Sequence, residues 1–182
     1  MTSTVKDKLT QVLLQNSALD LYKNILHDYR MEDIFSLARQ SEHPQLAFRA
    51  TWTLEHILLN QLALLKQYKA EVIELYISSD NVSCLRSSSK LIMTMLQRKD
   101  EISAEEEEIL LHKTFQLIER NNCPVALLVN CWDILYLFCK NQPWIADELR
   151  MHISFHLEQN ATPASLSRGN RILKKLERIT NS

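Results

Sequence analysis

The sequence predicts an all-α fold, and three features of the chain support this prediction. Its 182 residues include a single glycine, whereas β-sheets depend on tight turns that are rich in glycine. Apolar residues recur at helical spacing along most of the chain. The prolines lie where the first turn of a helix is expected to begin, the one helical position that tolerates this residue: Pro44, Pro124, Pro143 and Pro163.

The predicted helices follow one another with short polar connections. "LTQVLLQ" and "ALDLYKNILHDY" predict two N-terminal helices within residues 1–29, which would cap the fold. Ser103 and Glu106 form a Ser-x-x-Glu capping box at the start of a later helix. Because no connection is long enough to separate two domains, we expect one helical-repeat domain over residues 1–182. Approximate helical pairs cover residues 30–60, 61–98, 103–141 and 143–180.

One pattern recurs along the chain at multiples of about forty residues. A shift of 80 residues places Pro44 on Pro124 and Trp52 on Trp132, and a shift of 119 places Pro44 on Pro163. Periods of this size are typical of stacked helical arrays, in which a single repeat cannot bury its apolar face alone. The sequence therefore predicts a stack of helical pairs.

The segment "FRATWTLEHIL", residues 48–58, resembles the second helix of a HEAT or armadillo repeat. In the HEAT family an acidic residue in the turn precedes the helix arginine by six positions, and Asp80 and Arg86 match this spacing. The resemblance covers roughly residues 30–180, although Val129 replaces the arginine in one repeat. It implies a right-handed α-α superhelix, or α-solenoid, of about four HEAT-like or armadillo-like pairs plus the N-terminal capping helices.

The same resemblance implies that the second helices line a concave face. We expect this face to bind a peptide or protein partner, so that the chain acts as a non-enzymatic interaction scaffold. The candidate contact residues follow helical spacing on these helices: Arg49, Thr53, His56, Asn60, Arg86, Lys90, Met93, Asp133, Tyr136, Lys140, Arg171 and Lys175.

A nucleic-acid-binding or DNA-repair protein is the alternative interpretation. HEAT-like alkylpurine DNA glycosylases line a basic groove with tryptophans and an aspartate, and Trp132 followed by Asp133 is similar to that set. In this interpretation Asp133 would be the catalytic acid or base, and cations would contact phosphate: Arg86, Lys90, Arg171 and Lys175. The formal net charge of −1 argues against it, because phosphate contacts supply most non-specific affinity for nucleic acid.

The last helix is strongly basic, with five cations: Arg168, Arg171, Lys174, Lys175 and Arg178. One interpretation is a terminal cap with a solvated charged face. The other is a contact surface for phosphate or for an acidic partner.

Glu148, His152 and His156 recur every four residues on one predicted helix and form a possible metal site. Two histidines at this spacing can bind zinc or nickel, but no H-E-x-x-H pattern or nearby cysteine accompanies them. We expect packed histidines, no metal and no cofactor. The cysteines are expected to be buried free thiols: Cys84, Cys123, Cys131 and Cys139.

The cellular location expected from the sequence is the cytoplasm. No apolar stretch approaches the roughly 18 residues that a membrane span needs, and charges interrupt the N-terminal segment early. Free thiols fit a reducing compartment. A membrane partner is not expected.

Overall fold

The computed structural model describes the backbone of residues 3–180 and the side chains of residues 3–178; residues 1, 2, 181 and 182 of the predicted domain lie outside this range. Within it the chain is all-α, as predicted, and contains no strand. A 3₁₀ turn covers Ile25–His27. The helices are α1 (Ser3–Gln15), α2 (Ala18–Leu21), α3 (Met31–Ala38), α4 (Pro44–Asn60), α5 (Leu62–Gln67), α6 (Lys69–Ser78), α7 (Val82–Gln97), α8 (Ala104–Ile118), α9 (Val125–Phe138), α10 (Trp144–Asn160) and α11 (Pro163–Thr180).

The chain divides into two compact units, and the division falls near the end of α7. The first unit extends to Met95 and the second begins at Leu96. The boundaries expected for the four helical pairs stay a prediction.

Local start signals in the sequence are confirmed. Pro44 and Pro163 are the first residues of α4 and α11, and Pro124 and Pro143 immediately precede α9 and α10. The Ser103 side chain accepts from the Glu106 N–H, and the Glu106 carboxylate accepts from the Ser103 N–H. This reciprocal capping box starts α8 and satisfies two backbone donors.

The second N-terminal helix is shorter than expected. "ALDLYKNILHDY" forms only the single turn α2, capped by Ser17, and then the 3₁₀ turn. Ala18 and Ile25 are buried, whereas Leu19 is 57% exposed. The predicted helix is therefore replaced by two short turns, and each of them buries one apolar side chain.

In the first unit α4 is the central helix. It packs against α1, α2, α3 and α5, and Leu54, Ile57 and Leu58 are fully buried along it. The start of α4 also contacts the start of α7, because the Asn81 side chain donates to the Pro44 carbonyl at 3.0 Å.

In the second unit α9 is the central helix and packs against α8, α10 and α11. Ten of its 14 residues are buried, as expected for a helix that is apolar on nearly all sides. The glycine of the chain, Gly169, lies in α11 where a Cβ would meet Ile153 at 3.0 Å and Leu157 at 3.2 Å. Gly169 therefore lets α11 approach α10 closely.

The turn after α7 has an unusual backbone conformation. Lys99 has a φ of 58°, which is the left-handed region that normally favours glycine at a helix C-terminus. Its N–H donates to the Leu96 carbonyl at 3.1 Å. Lys99 thus takes, just after the last residue of α7, the left-handed conformation that a glycine usually provides there.

Among the helices that the structure describes, none combines the length and the apolar character needed to cross a membrane.

Candidate functional site

Each unit contains a buried carboxylate that joins two of its longer helices. In the first unit Glu55 of α4 pairs with Lys90 of α7, which we call the α4–α7 link. The Glu55 side chain is 5% exposed and that of Lys90 is 40% exposed. A carboxylate this deep in the protein needs a charged partner, because its desolvation is otherwise costly.

The corresponding carboxylate of the second unit has two partners. Asp133 of α9 accepts hydrogen bonds from Arg168 and Arg171 of α11, the latter at 2.9 Å, and we call this group the α9–α11 link. Asp133 is 10% exposed, whereas Arg168 and Arg171 are 32% and 51% exposed. Each carboxylate oxygen takes a separate guanidinium. Asp133 is thus held on both sides, and two arginines are held in fixed positions.

More positive charge adjoins this link. The Lys175 ammonium lies over the Tyr136 ring, 5.0 Å from its centroid, in a cation–π contact. Lys140 is exposed just beyond the end of α9. We define the α9/α11 face as Asp133, Tyr136, Lys140, Arg168, Arg171 and Lys175. It carries four cations against one carboxylate, so its charge is positive although the whole chain is near neutral.

On α4 an aromatic cluster includes two of the predicted contact residues. Phe48 and Trp52 stack with centroids 5.7 Å apart, and His56 follows at 5.8 Å from Trp52. Tyr22 contacts the His56 ring at 5.8 Å. The Arg49 guanidinium lies 5.8 Å from the Trp52 centroid. Arg49 and His56 therefore belong to a half-buried aromatic stripe.

Thr53 corrects the predicted contact set. Its side chain is 1% exposed, and its hydroxyl donates to the Arg49 carbonyl at 2.9 Å. Helical spacing placed it beside Arg49 and His56, but the neighbouring helices cover that side of α4. Thr53 packs in the core and offers nothing to a partner.

The remaining predicted contacts of the first unit are more accessible. Asn60 is exposed and donates its amide to the His56 carbonyl at 2.8 Å, near the end of α4. On α7, Arg86 is exposed and Met93 is half-buried.

The two histidines of the possible metal site, His152 and His156, have structural roles. The Trp132 indole N–H donates to His152 Nδ1 at 3.1 Å, and His152 Nε2 lies 3.1 Å from the Ile118 carbonyl. These partners require a neutral ring that carries its proton on Nε2, so neither nitrogen is open to a metal. His156 packs edge-on against Trp132 with centroids 5.3 Å apart. Glu148 is exposed.

The surroundings of these rings also lower their basicity. Burial lowers the pKa of His152, against the opposing effects of the Ile118 carbonyl and the Glu119 charge. Burial lowers the pKa of His156 too, and the neighbouring His152 adds to this effect. Among the described residues no group of three or more His, Cys, Asp or Glu side chains is placed to hold a metal ion.

The glycosylase-like pair has no catalytic geometry. Trp132 is fully buried, so it cannot stack on an extruded base. Both carboxylate oxygens of Asp133 are engaged by arginines and its side chain is 10% exposed, so the carboxylate does not face an open substrate site. Trp132 and Asp133 therefore share the residue types of the glycosylase tryptophan and aspartate but not their accessibility.

All four cysteines are free thiols, as expected, but Cys123 is less buried than predicted. Cys84, Cys131 and Cys139 are buried, whereas Cys123 is half-buried. Burial raises the pKa of Cys123 and of Cys139 to about 11. Because the thiolate is the reactive form, both thiols are poor nucleophiles at neutral pH.

The ion pairs of the two links go beyond what the sequence predicts. Glu55 is absent from the predicted contact residues, and the prediction assigns Asp133 to a binding groove without its arginine partners. A signal was present, since Glu55 and Lys90 are 35 residues apart and so are Asp133 and Arg168. An acid and a cation at this constant separation, close to one repeat, predict a link between successive repeats.

Comparison with known proteins identifies the type of repeat. The family model described as HEAT repeat domain matches residues 5–176. No curated protein matches the chain, and neither does any solved structure.

Proposed function

Because the chain belongs to the HEAT repeat family, we propose that it is a non-enzymatic interaction module whose α9/α11 face holds an acidic segment of a partner protein. HEAT repeats generally mediate protein–protein interactions, and the family is typically non-enzymatic. Family membership confirms the resemblance carried by residues 48–58 and leaves the partner and the surface to be identified.

The surplus of positive charge on the α9/α11 face carries the proposal. Asp133 neutralises about one of the two arginines that it holds, so the α9–α11 link is itself cationic. Arg171 remains 51% exposed, with part of its guanidinium directed to solvent. Guanidinium groups bind carboxylates in bidentate geometry, and a side chain that is already ordered loses less entropy when it binds. Acidic side chains are the groups that this face would bind best.

Lys175 and Lys140 both adjoin Tyr136. The Lys175 ammonium lies over the half-buried Tyr136 ring, and Lys140 lines the same cleft as Tyr136. Tyrosine and arginine are enriched at protein interfaces because both combine large contact areas with directed polar groups. A partner segment that mixes acidic and apolar residues would use both parts of the face.

The first unit would supply a second contact region. Its members are the predicted residues that remain accessible: Arg49, His56, Asn60, Arg86, Lys90 and Met93. Thr53 is omitted because it is buried. The proposal also places the protein in the cytoplasm, and its four free cysteines support a reducing compartment.

Nucleic acid would also be attracted to four cations. The buried Trp132 and the neutral balance of the whole chain favour protein instead, because phosphate recognition depends on accumulated positive charge. Binding to phosphate is therefore an outcome of the test.

Two exposed lysines are the best residues to reverse. Lys90→Glu would set a second carboxylate beside the buried Glu55 and would confound binding with stability. Arg171→Glu would do the same beside Asp133. Lys140 and Lys175 are exposed and lie outside both links, so reversing them alters the surface charge while both ion pairs remain.

The test compares Lys140→Glu/Lys175→Glu with Lys66→Glu/Lys174→Glu, which changes the net charge equally at exposed sites outside the α9/α11 face. Each immobilised protein is incubated with cell lysate, in one sample before and in another after nuclease treatment. Retained proteins are quantified by mass spectrometry, and retained nucleic acid is measured in the untreated sample. We expect a partner recovered by the wild type and the Lys66/Lys174 variant to be lost from the Lys140/Lys175 variant. Equal recovery by both variants, or retention of nucleic acid alone before nuclease treatment, would overturn the proposal.

A further inference from the structure

The outer face of α10 exposes three large apolar side chains. Trp144 is 54% exposed, and Met151 and Phe155 are each 66% exposed. Their spacing of seven and four residues places them within about 40° of one another around the helix axis. We call Trp144, Met151 and Phe155 the α10 stripe.

The exposure of the stripe is not caused by weak docking of α10. Ile145, Leu149 and Ile153, on the opposite side of the helix, are fully buried, and α10 packs against α9 and α11. Single exposed apolar residues are common on protein surfaces, but an aligned set of large ones marks an interaction site.

The stripe has negatively charged borders. Asp147, Glu148 and Glu158 are exposed on the same helix. Arg150 is the one lysine or arginine within Trp144–Asn160, and it pairs with Asp147 at 2.6 Å. The borders of the α10 stripe are thus acidic.

The neighbouring helix α8 extends both features. Trp144 stacks on Phe115 of α8 with centroids 5.7 Å apart. A cleft of about 540 Å³ lies beside this pair and is lined by Glu107, Glu108 and His112 among others. An apolar surface with acidic borders therefore continues from α10 to the first turns of α8.

We propose that the α10 stripe is a docking surface for an amphipathic helix of a partner protein whose apolar side is bordered by lysine or arginine. Charge complementarity selects this occupant, because basic residues beside the apolar side would meet Glu148, Glu158 and Glu108. From Trp144 to Phe155 the stripe rises by about 17 Å, which matches about three turns of a docked helix. The proposal concerns a different surface and the opposite charge from the α9/α11 face, and it does not rest on the proposed function.

Two other occupants fit the charge pattern poorly. A second copy that packed α10 against α10 would bring acidic borders together. An anionic lipid surface would be repelled by the same carboxylates. Both are distinguished by the test.

The probe is a fluorescent synthetic helix of about 18 residues, long enough for measurable helicity, with leucines along one side and lysines elsewhere. A shuffled peptide of the same composition and a peptide with glutamate in place of lysine are the peptide controls. The wild-type chain is compared by fluorescence anisotropy with Met151→Ser/Phe155→Ser. The matched protein control is Leu19→Ser/Leu166→Ser, which removes two exposed apolar side chains elsewhere. All substituted side chains are exposed, so circular dichroism should show unchanged helicity.

We expect the lysine peptide to bind wild type and the Leu19/Leu166 variant alike, and to bind the Met151/Phe155 variant about tenfold more weakly or worse. Its affinity should fall with added salt, and the glutamate peptide should not bind. Trp144 should become less accessible to acrylamide quenching in the complex.

Equal affinity of the two protein variants, or equal binding of the shuffled peptide, would overturn the proposal. So would self-association of the peptide-free protein that Met151→Ser/Phe155→Ser abolishes, because the occupant would then be a second copy. Binding of anionic lipid vesicles through the stripe would overturn it as well.

Discussion

The α4–α7 link and the α9–α11 link each join two helices through a buried carboxylate, but they differ in net charge. Both set a nearly buried carboxylate on one helix against a cation 35 residues later. Among the described residues Glu55 pairs with one cation, Lys90, so the α4–α7 link is neutral. Asp133 has two, Arg168 and Arg171, so its link is positive.

The difference separates a structural ion pair from a binding surface. A neutral pair holds two helices together, and most of its attraction is used to offset desolvation. A carboxylate shared by two arginines holds the helices and also leaves charge for a partner. We therefore expect the first link to be sensitive to loss of its cation and the second to tolerate loss of one.

The largest effect should follow from Lys90→Met in the first unit. Removal of the ammonium leaves the Glu55 carboxylate unpaired at 5% exposure. We expect the free energy of unfolding to fall by about 2–3 kcal/mol. This is at or just below the roughly 3–5 kcal/mol typical of a broken buried pair, because Lys90 itself is partly exposed. Hydrogen exchange measured by mass spectrometry should show faster exchange in α4 and α7.

The double variant Glu55→Gln/Lys90→Met is the control, because it removes the buried charge together with its partner. Its stability should return to within about 1 kcal/mol of wild type. If the single and double variants were equally unstable, the Glu55 charge would not be the cause, and packing of the Lys90 stem would be.

A smaller effect should follow from acidification, and it should arise in the second unit. The pKa of His152 is lowered by burial, so near pH 6 the unfolded chain binds more protons than the folded chain. The contribution of His152 to stability is complete above the ordinary histidine pKa of about 6.5, and it is lost as the pH falls through the lowered folded value.

The measurement is the free energy of denaturant unfolding from about pH 7.5 to about pH 5, for wild type and for His152→Gln. We expect wild type to lose stability on acidification, and the variant, already less stable at neutral pH, to show a shallower pH dependence. Parallel curves for the two proteins would mean that His152 does not titrate differently in the folded and unfolded states.

The smallest effect on stability should follow from Arg171→Met. Asp133 keeps Arg168 as a partner, and Arg171 is half exposed, so the loss should be less than about 1 kcal/mol. Thermal unfolding followed by circular dichroism would measure it. A loss as large as that of Lys90→Met would show that the two links have the same design and that Arg171 is not available to a partner.

The sequence predicted the features that depend on neighbours along the chain. Proline at four helix starts and the Ser103–Glu106 capping box are local signals, and both were located correctly. The helical-repeat fold was predicted from the sequence periodicity, because a recurring helical pair buries its apolar face by stacking on the next pair.

The environment of a residue was harder to predict because it depends on distant segments. Trp52 and Trp132 occupy matching positions, yet Trp52 is half-buried and stacks on Phe48, whereas Trp132 is fully buried against His152. Thr53 is one of the predicted contact residues, but neighbouring helices bury its side chain. The α10 stripe was missed because apolar residues on a helix predict burial, and only tertiary packing decides which of its faces stays exposed.

Crosslinking at Tyr136 would test the binding role of the α9/α11 face most directly. Tyr136 is replaced by a photo-crosslinking phenylalanine. The control carries the same photo-crosslinker in place of Lys66, at an exposed site of the first unit. We expect irradiation in cells to join position 136 to a partner protein through a segment rich in aspartate and glutamate, and Lys140→Glu/Lys175→Glu to abolish that adduct. Adducts equal to those at position 66, or adducts with nucleic acid alone, would show that the positive charge of this face does not serve to bind a protein.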